Sequence, residues 1–193
     1  MAGLSCGLLL TGRAAYLKGK GLLARSLIQR AWALRDAGLG GPPWRGADFL
    51  PVARLVIPER GYDEVVLEGA APRTLAFGPA RLLSSAFFGE PGNIVLAGHR
   101  TSWFRPLEHV RRGDLVILEW RARGDATGTL HRSRYRVQAL SVVDAHDTRA
   151  LGDTLDDRLT LVTCFPFGPN PGSPSRYVVL ARPDAPVHSA RGR

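Results

Sequence analysis

Cys164 closes the run Leu159-Thr160-Leu161-Val162-Thr163-Cys164, an alternating apolar stretch that stops at Phe165-Pro166. Strand ends are where a scaffold presents reactive groups. A thiol is only slightly ionised at neutral pH, so it needs a basic partner to become a nucleophile and to be reprotonated afterwards. Without such partners it is a small buried hydrophobe that happens to be Cys. Of the five histidines, His99 is best placed, because Ile94-Val95-Leu96-Ala97-Gly98-His99 is a second apolar strand ending in glycine and then the imidazole. His109, His131, His146 and His188 lie in charged or turn-like surroundings and read as surface groups. Arg176 follows Phe165–Ser175, too rich in proline and glycine to be anything but a loop. If the runs on either side of that loop pair antiparallel, Cys164 and Arg176 face one another across it, and the guanidinium can reach an oxyanion formed near the sulfur. Thiol nucleophile, imidazole acid/base and fixed cation together point to acyl transfer.

The elements that carry these groups are short. Apolar runs of strand length occur at Ala53–Ile57, Glu64–Leu67, Ile94–Ala97, Leu115–Trp120, Tyr135–Val143, Leu159–Cys164 and Arg176–Ala181. Turn signals such as Pro58-Glu59-Arg60-Gly61, Gly89-Glu90-Pro91-Gly92 and Arg112-Gly113-Asp114 separate them. Beyond residue 50 the only helical pattern is at Arg73–Leu83. This predicts a mainly β domain, a closed barrel or a sandwich. Its boundaries fall at 47–183, after a linker over 38–46 that contains Gly40-Gly41-Pro42-Pro43 and before a tail over 184–193 with too little apolar content to pack.

Residues 1–37 read as an N-terminal helical, membrane-associated segment. The apolar opening Met1–Leu10 is interrupted by Thr11-Gly12-Arg13, short of the roughly 20 residues that span a bilayer. A basic helix follows over Arg13–Arg35, with Leu23, Leu27, Ala31 and Leu34 on one face. Two placements are open: a helix lying in the interface, or the second half of an anchor whose first half precedes Met1.

Composition narrows the classes further. The 26 basic and 17 acidic side chains leave +9, almost all of it arginine, since Lys18 and Lys20 are the only lysines. The arginines are scattered instead of blocked, which argues against a nucleic-acid arm. Cys6 and Cys164 cannot form a disulfide framework, and without CxxC or HxxxH spacing no metal site is expected. Nor does any acidic cluster assign calcium; Asp153, Asp156 and Asp157 read as a solvated turn.

Thr160-Leu161-Val162-Thr163-Cys164 resembles the nucleophile strand of the sortases. Ala97-Gly98-His99-Arg100 resembles their histidine segment and Ser175-Arg176-Tyr177-Val178-Val179 their arginine strand, all three in the family's order. Pro51–Pro58, Val66–Gly69, Leu75–Pro79 and Gly89–Asn93 extend the likeness over roughly residues 44–182, in the manner of the subgroup of Gram-negative proteobacteria. The resemblance implies an eight-stranded sortase-type β-barrel and cysteine transpeptidase chemistry on an LPxTG-like C-terminal sorting signal, without cofactor. The implied partners are a protein carrying that signal, an amine acceptor and the membrane, with the catalytic domain on the periplasmic side of the inner membrane. Cys164 is then the nucleophile, His99 the acid/base and Arg176 the oxyanion or substrate holder, while Thr163 resembles a position that supports the substrate or the oxyanion. Many relatives carry an acidic residue after the His-Arg pair, where this chain has Thr101. The alternatives are a cysteine peptidase that only hydrolyses the signal, and a non-catalytic β module that binds proline-containing peptides through the loop after Cys164.

Overall fold

Leucine and β-branched residues at every second position send one side of each strand inward, and eight such strands close on themselves in the computed structural model, which describes residues 19–34, 40–122, 128–168 and 172–184. In chain order the strands are β1 Pro51–Ile57, β2 Tyr62–Glu68, β3 Ala80–Arg81, β4 Asn93–Ala97, β5 Leu115–Trp120, β6 His131–Asp144, β7 Arg158–Phe165 and β8 Ser175–Pro183. Around the barrel they run β1-β2-β3-β4-β7-β8-β6-β5, and β5 pairs back onto β1. Two neighbouring pairs, β2–β3 and β4–β7, are parallel and the others antiparallel.

The interior is filled by Leu55 and Ile57 of β1, Ile94 and Leu96 of β4, Val116 and Leu118 of β5, Leu159 and Leu161 of β7 and Val179 of β8, capped by Phe104 and Leu107 from the β4–β5 connection. Each such side chain contributes about 1.5–3 kcal/mol by leaving water. The outer face is tied by charge where it is wet. Arg54 on β1 donates to Asp63 on β2 (2.7 Å) and to Glu119 on β5 (3.0 Å), and Arg132 on β6 donates to the same Glu119 (3.1 Å). That ladder explains why β6 starts at His131 and not at Tyr135. The residues added, Arg132 and Arg134, point outward, and so carry no apolar signature.

The helix expected at Arg73–Leu83 is one turn, Pro72–Leu75, because Gly78-Pro79 ends it. The two residues after that break form β3, which pairs with β2 and β4 and which no apolar run announced. The basic helix is formed over residues 19–34 but is rotated relative to the expected face. Ile28 and Ala31 are buried, while Leu23 is 59% and Leu34 39% exposed. Tertiary partners set that rotation: Arg25 binds Glu64 at 2.6 Å, and the Arg121 guanidinium lies 4.8 Å over the Trp32 ring.

Trp44, within the stretch expected as a linker, packs edge-on to Phe49 and Phe77 in the cluster that also holds Ile28 and Trp32, so helix and barrel share a core. Asp184, at the expected start of the tail, accepts from Arg136 at 2.6 and 2.9 Å. Among the described residues no helix is long and apolar enough to cross a membrane. Cys6, the rest of the segment before residue 19 and the tail beyond residue 184 lie outside the described residues.

Candidate active site

The β7–β8 pairing places Cys164 directly across from Arg176. Strand alternation sends Leu159, Leu161 and Thr163 inward and Val162 and Cys164 to the outer face, where Arg176 and Val178 of β8 stand beside them. Cys164 is a free, half-buried thiol.

His99 arrives from a different neighbour. β4 lies parallel to β7 with Ala97 opposite Val162, so the register carried two residues further brings residue 99 level with residue 164. The chain is held on that course past the strand end by Gly98 N–H, which donates to Val162 O (3.3 Å), and by Thr163 Oγ1, which donates to Gly98 O (2.7 Å). The His99 carbonyl then accepts from Phe104 N–H at 2.9 Å, closing a turn. Glycine is required at position 98 by space: a Cβ there would stand 2.7 Å from the ring of Phe104, which is fully buried. His99 itself is exposed, and no described residue hydrogen-bonds its ring.

Arg176 is half-buried, and its Nη1 donates to the carbonyls of Ser173 (3.2 Å) and Ser175 (3.1 Å). Its Nε and Nη2 have no partner among the described residues, which leaves donors for an incoming oxygen. The roots of the β7–β8 loop are joined by Ser173 Oγ, which accepts from Phe165 N–H (3.0 Å) and donates to Ser175 O (2.8 Å). Phe167 and Tyr177, ring centroids 5.1 Å apart and edge to face, pack the loop against the barrel interior.

Below these groups an apolar groove of about 230 Å³ runs along the outer sheet, floored by Ala97, Val162 and Val178 and walled by Ala150, Leu151 and Arg176. Its far wall comes from the β6–β7 connection, which Asn93 holds in place. Asn93 is 1% exposed; its Nδ2 donates to Ala150 O (3.0 Å) and Gly152 O (2.9 Å), and its Oδ1 accepts from Thr160 Oγ1 (2.8 Å). In the same wall Asp147 is held at a pKa of about 2 by hydrogen bonds from the Arg149 side chain and backbone. The acidic turn after it is more than solvated: Asp156 receives Arg158, and Asp157 accepts from Gly92 N–H at 3.1 Å.

Cys164 and Arg176 thus stand opposite one another on the outer face, and the β4–β7 register carries residue 99 toward the same end of the sheet. Thr163 is near them in a different way, 3% exposed and with its hydroxyl spent on Gly98. Sequence reasoning passes over Asn93 and the groove wall because strand order is invisible in one dimension. The glycine before His99 is the available signal of a close approach.

A closed β-barrel with a thiol paired opposite a guanidinium, an apolar groove lined by that guanidinium and an imidazole just past the end of the neighbouring parallel strand is the class these features define. A family model described as the sortase domain matches residues 55–184, and the chain belongs to the sortase family. It is 30% identical over 131 residues to Sortase D of Bacillus subtilis, covering 66% of this chain and 61% of that protein. Sortase A of Listeria monocytogenes is 26% identical over 117 residues, 58% of this chain and 49% of the relative. The matched region thus spans less than two thirds of either relative's length. Among solved structures, a Clostridium perfringens Sortase D5 transpeptidase superimposes with a TM-score of 0.59 at 25% identity, covering 70% of this chain and 79% of that one. Sortase C-1 of Actinomyces oris gives 0.58 at 27% identity, covering 69% and 74%.

Proposed function

We propose that this chain is a cysteine transpeptidase acting on an LPxTG-like C-terminal sorting signal. The observations that support the reading are the pairing of Cys164 with Arg176 across β7–β8 and the β4–β7 register, which carried past Ala97 and Val162 brings residue 99 level with residue 164. The groove suits the apolar residues of such a signal, with the scissile carbonyl at its head. Cys164 gives its proton to His99 and its sulfur attacks that carbonyl carbon. Arg176, whose Nε and Nη2 have no partner among the described residues, stabilises the oxyanion. The C–N bond then breaks, the amine leaves with the proton held by His99, and the acyl group stays on sulfur. A second amine attacks the thioester and loses its proton to His99; the new C–N bond forms as the C–S bond breaks, and the thiolate is restored. Thr163 acts through Gly98 on His99 and is a positioning residue.

The proposed partners are a protein bearing the signal, an amine acceptor and the cytoplasmic membrane, with the barrel facing the periplasm. The apolar run Met1–Leu10 and the basic segment after it support that placement. The motifs from Pro51 to Asn93 support membership of the proteobacterial subgroup. The test is turnover of a sorting-signal peptide with increasing amine. Ligated product that grows with amine at the expense of free acid is expected, and free acid alone at every amine concentration would leave a hydrolase.

A further inference from the structure

Three arginines are buried among the described residues: Arg81, Arg100 and Arg121. Arg81 donates to Glu68 and to the Ser85 carbonyl, both at 2.6 Å, and Arg121 donates to Gly128 O and lies over Trp32. Arg100 differs. It is 8% exposed, and among the described residues no hydrogen bond and no ion pair engages any nitrogen of its guanidinium. Guanidinium does not shed its charge, and a buried charge without a counter-ion is costly. Such a group persists where something else supplies the anion.

Arg100 lines a cavity of about 410 Å³ with Thr101, Arg105, Glu108, Phe167 and Gly168. Its location follows from topology. β4 and β7 run parallel toward the rim, where they deliver His99 and Cys164. The groove lies before those two residues along both strands, with Ala97 and Val162 in its floor. The cavity lies just past them, lined by residues 100 and 101 after His99 and by residues 167 and 168 after Cys164. Among the described residues the two depressions share no lining residue, so an acyl donor seated in the groove leaves the cavity open. Two guanidiniums and the Glu108 carboxylate give the cavity a net charge of 2 − 1 = +1. That balance suits a carboxylate monoanion better than a doubly charged phosphate ester.

We propose that this cavity is the acceptor subsite, in which Arg100 and Arg105 bind a carboxylate carried by the incoming amine. The preferred acceptor is therefore of amino-acid or peptide type with its carboxylate free. This rests on the transpeptidase reading for the identity of the ligand, though not for the presence of an anion site.

The test has two arms, both on the full chain. In the first, the Cys164 thioester is formed with a sorting-signal peptide and offered glycylglycine, glycylglycinamide or phosphoethanolamine. A kcat/KM for the free acid about tenfold or more above that for the amide is expected, on the scale of a charge-assisted hydrogen bond. The preference should collapse in Arg105→Ala, an exposed position, and in Arg100→Met, which should also raise Tm by removing an unpaired buried charge. Equal use of acid and amide by the unaltered thioester overturns the subsite, as does Arg100→Met that melts lower and keeps the preference. Preference for phosphoethanolamine overturns the carboxylate assignment. The second arm needs no turnover: N-acetylglycine and inorganic phosphate are titrated separately while the arginine Nε–H NMR signals are followed. Saturable shifts with N-acetylglycine at the signals lost in the two variants support the subsite, and their absence overturns it. Such shifts without any Cys164 thioester would overturn the transpeptidase reading and leave the anion site standing.

Discussion

Replacing Thr163 by valine keeps the shape of the side chain and removes one hydroxyl, the one that donates to Gly98 O at 2.7 Å in a buried setting. Leaving a buried carbonyl without its donor costs about 1–3 kcal/mol. For a chain of this size that corresponds to a fall in Tm of about 2–4 °C per kcal/mol. The consequence for activity is larger in proportion, because His99 is the next residue. A carbonyl that turns to find water takes the imidazole with it, and a misplacement of ~1 Å at a reacting group costs ~100-fold. The expectation for Thr163→Val is a kcat lower by about 10- to 100-fold, with KM for the signal peptide changed less than about twofold. Release of the C-terminal fragment, followed by chromatography, gives both constants, and a thermal melt gives the stability. Thr163→Ser retains the hydroxyl and should recover most of the rate. A valine variant that melts lower but turns over normally would refute the positioning argument, and so would a serine variant as slow as valine.

Asn93→Ala removes the clamp on Ala150 and Gly152. It should therefore raise KM for the signal peptide by ~10-fold at nearly unchanged kcat, and a proportional loss of both constants would contradict the role of that groove wall. Gly98→Ala drives a methyl to 2.7 Å from the Phe104 ring; an overpacking cost of about 1–3 kcal/mol and a fall in kcat are expected. Adding Phe104→Leu should restore part of the activity, measured in the same assay. The Asp147 carboxyl is held at about 2, below its ordinary 3.8. Its contribution to stability is therefore full above about pH 4 and is lost as pH falls toward 2. The Tm difference between the parent chain and Asp147→Asn should narrow over that window, and a gap as wide at pH 2 as at pH 5 would show that the carboxylate is not its source.

Much of the barrel is legible in the sequence because inward positions alternate. Leu159, Leu161 and Thr163 against Val162 and Cys164 separate into two faces on the period of two alone. The Cys164–Arg176 pairing is legible for the same reason, since one loop joins the two strands. What escapes has physical causes. β3 is two residues long and has no period to read. The outward arginines of β6 hide its true start. The docked face of the helix over 19–34 is set by Glu64 and Arg121, distant in the chain. The β4–β7 neighbourhood that brings His99 to Cys164 is a parallel contact between strands separated by β5 and β6, and neither strand encodes it alone. Arg100 carries no signal, because its lack of a partner is a property of the fold.

The central claim is that the rim formed by Cys164, His99 and Arg176 carries an acyl group, and intact-mass spectrometry of the full chain with an LPxTG-type peptide tests it most directly. A mass gain equal to the acyl fragment, mapped to Cys164, discharged by hydroxylamine and absent in Cys164→Ala, is the predicted result. Cleavage of the peptide that persists in Cys164→Ala would contradict it.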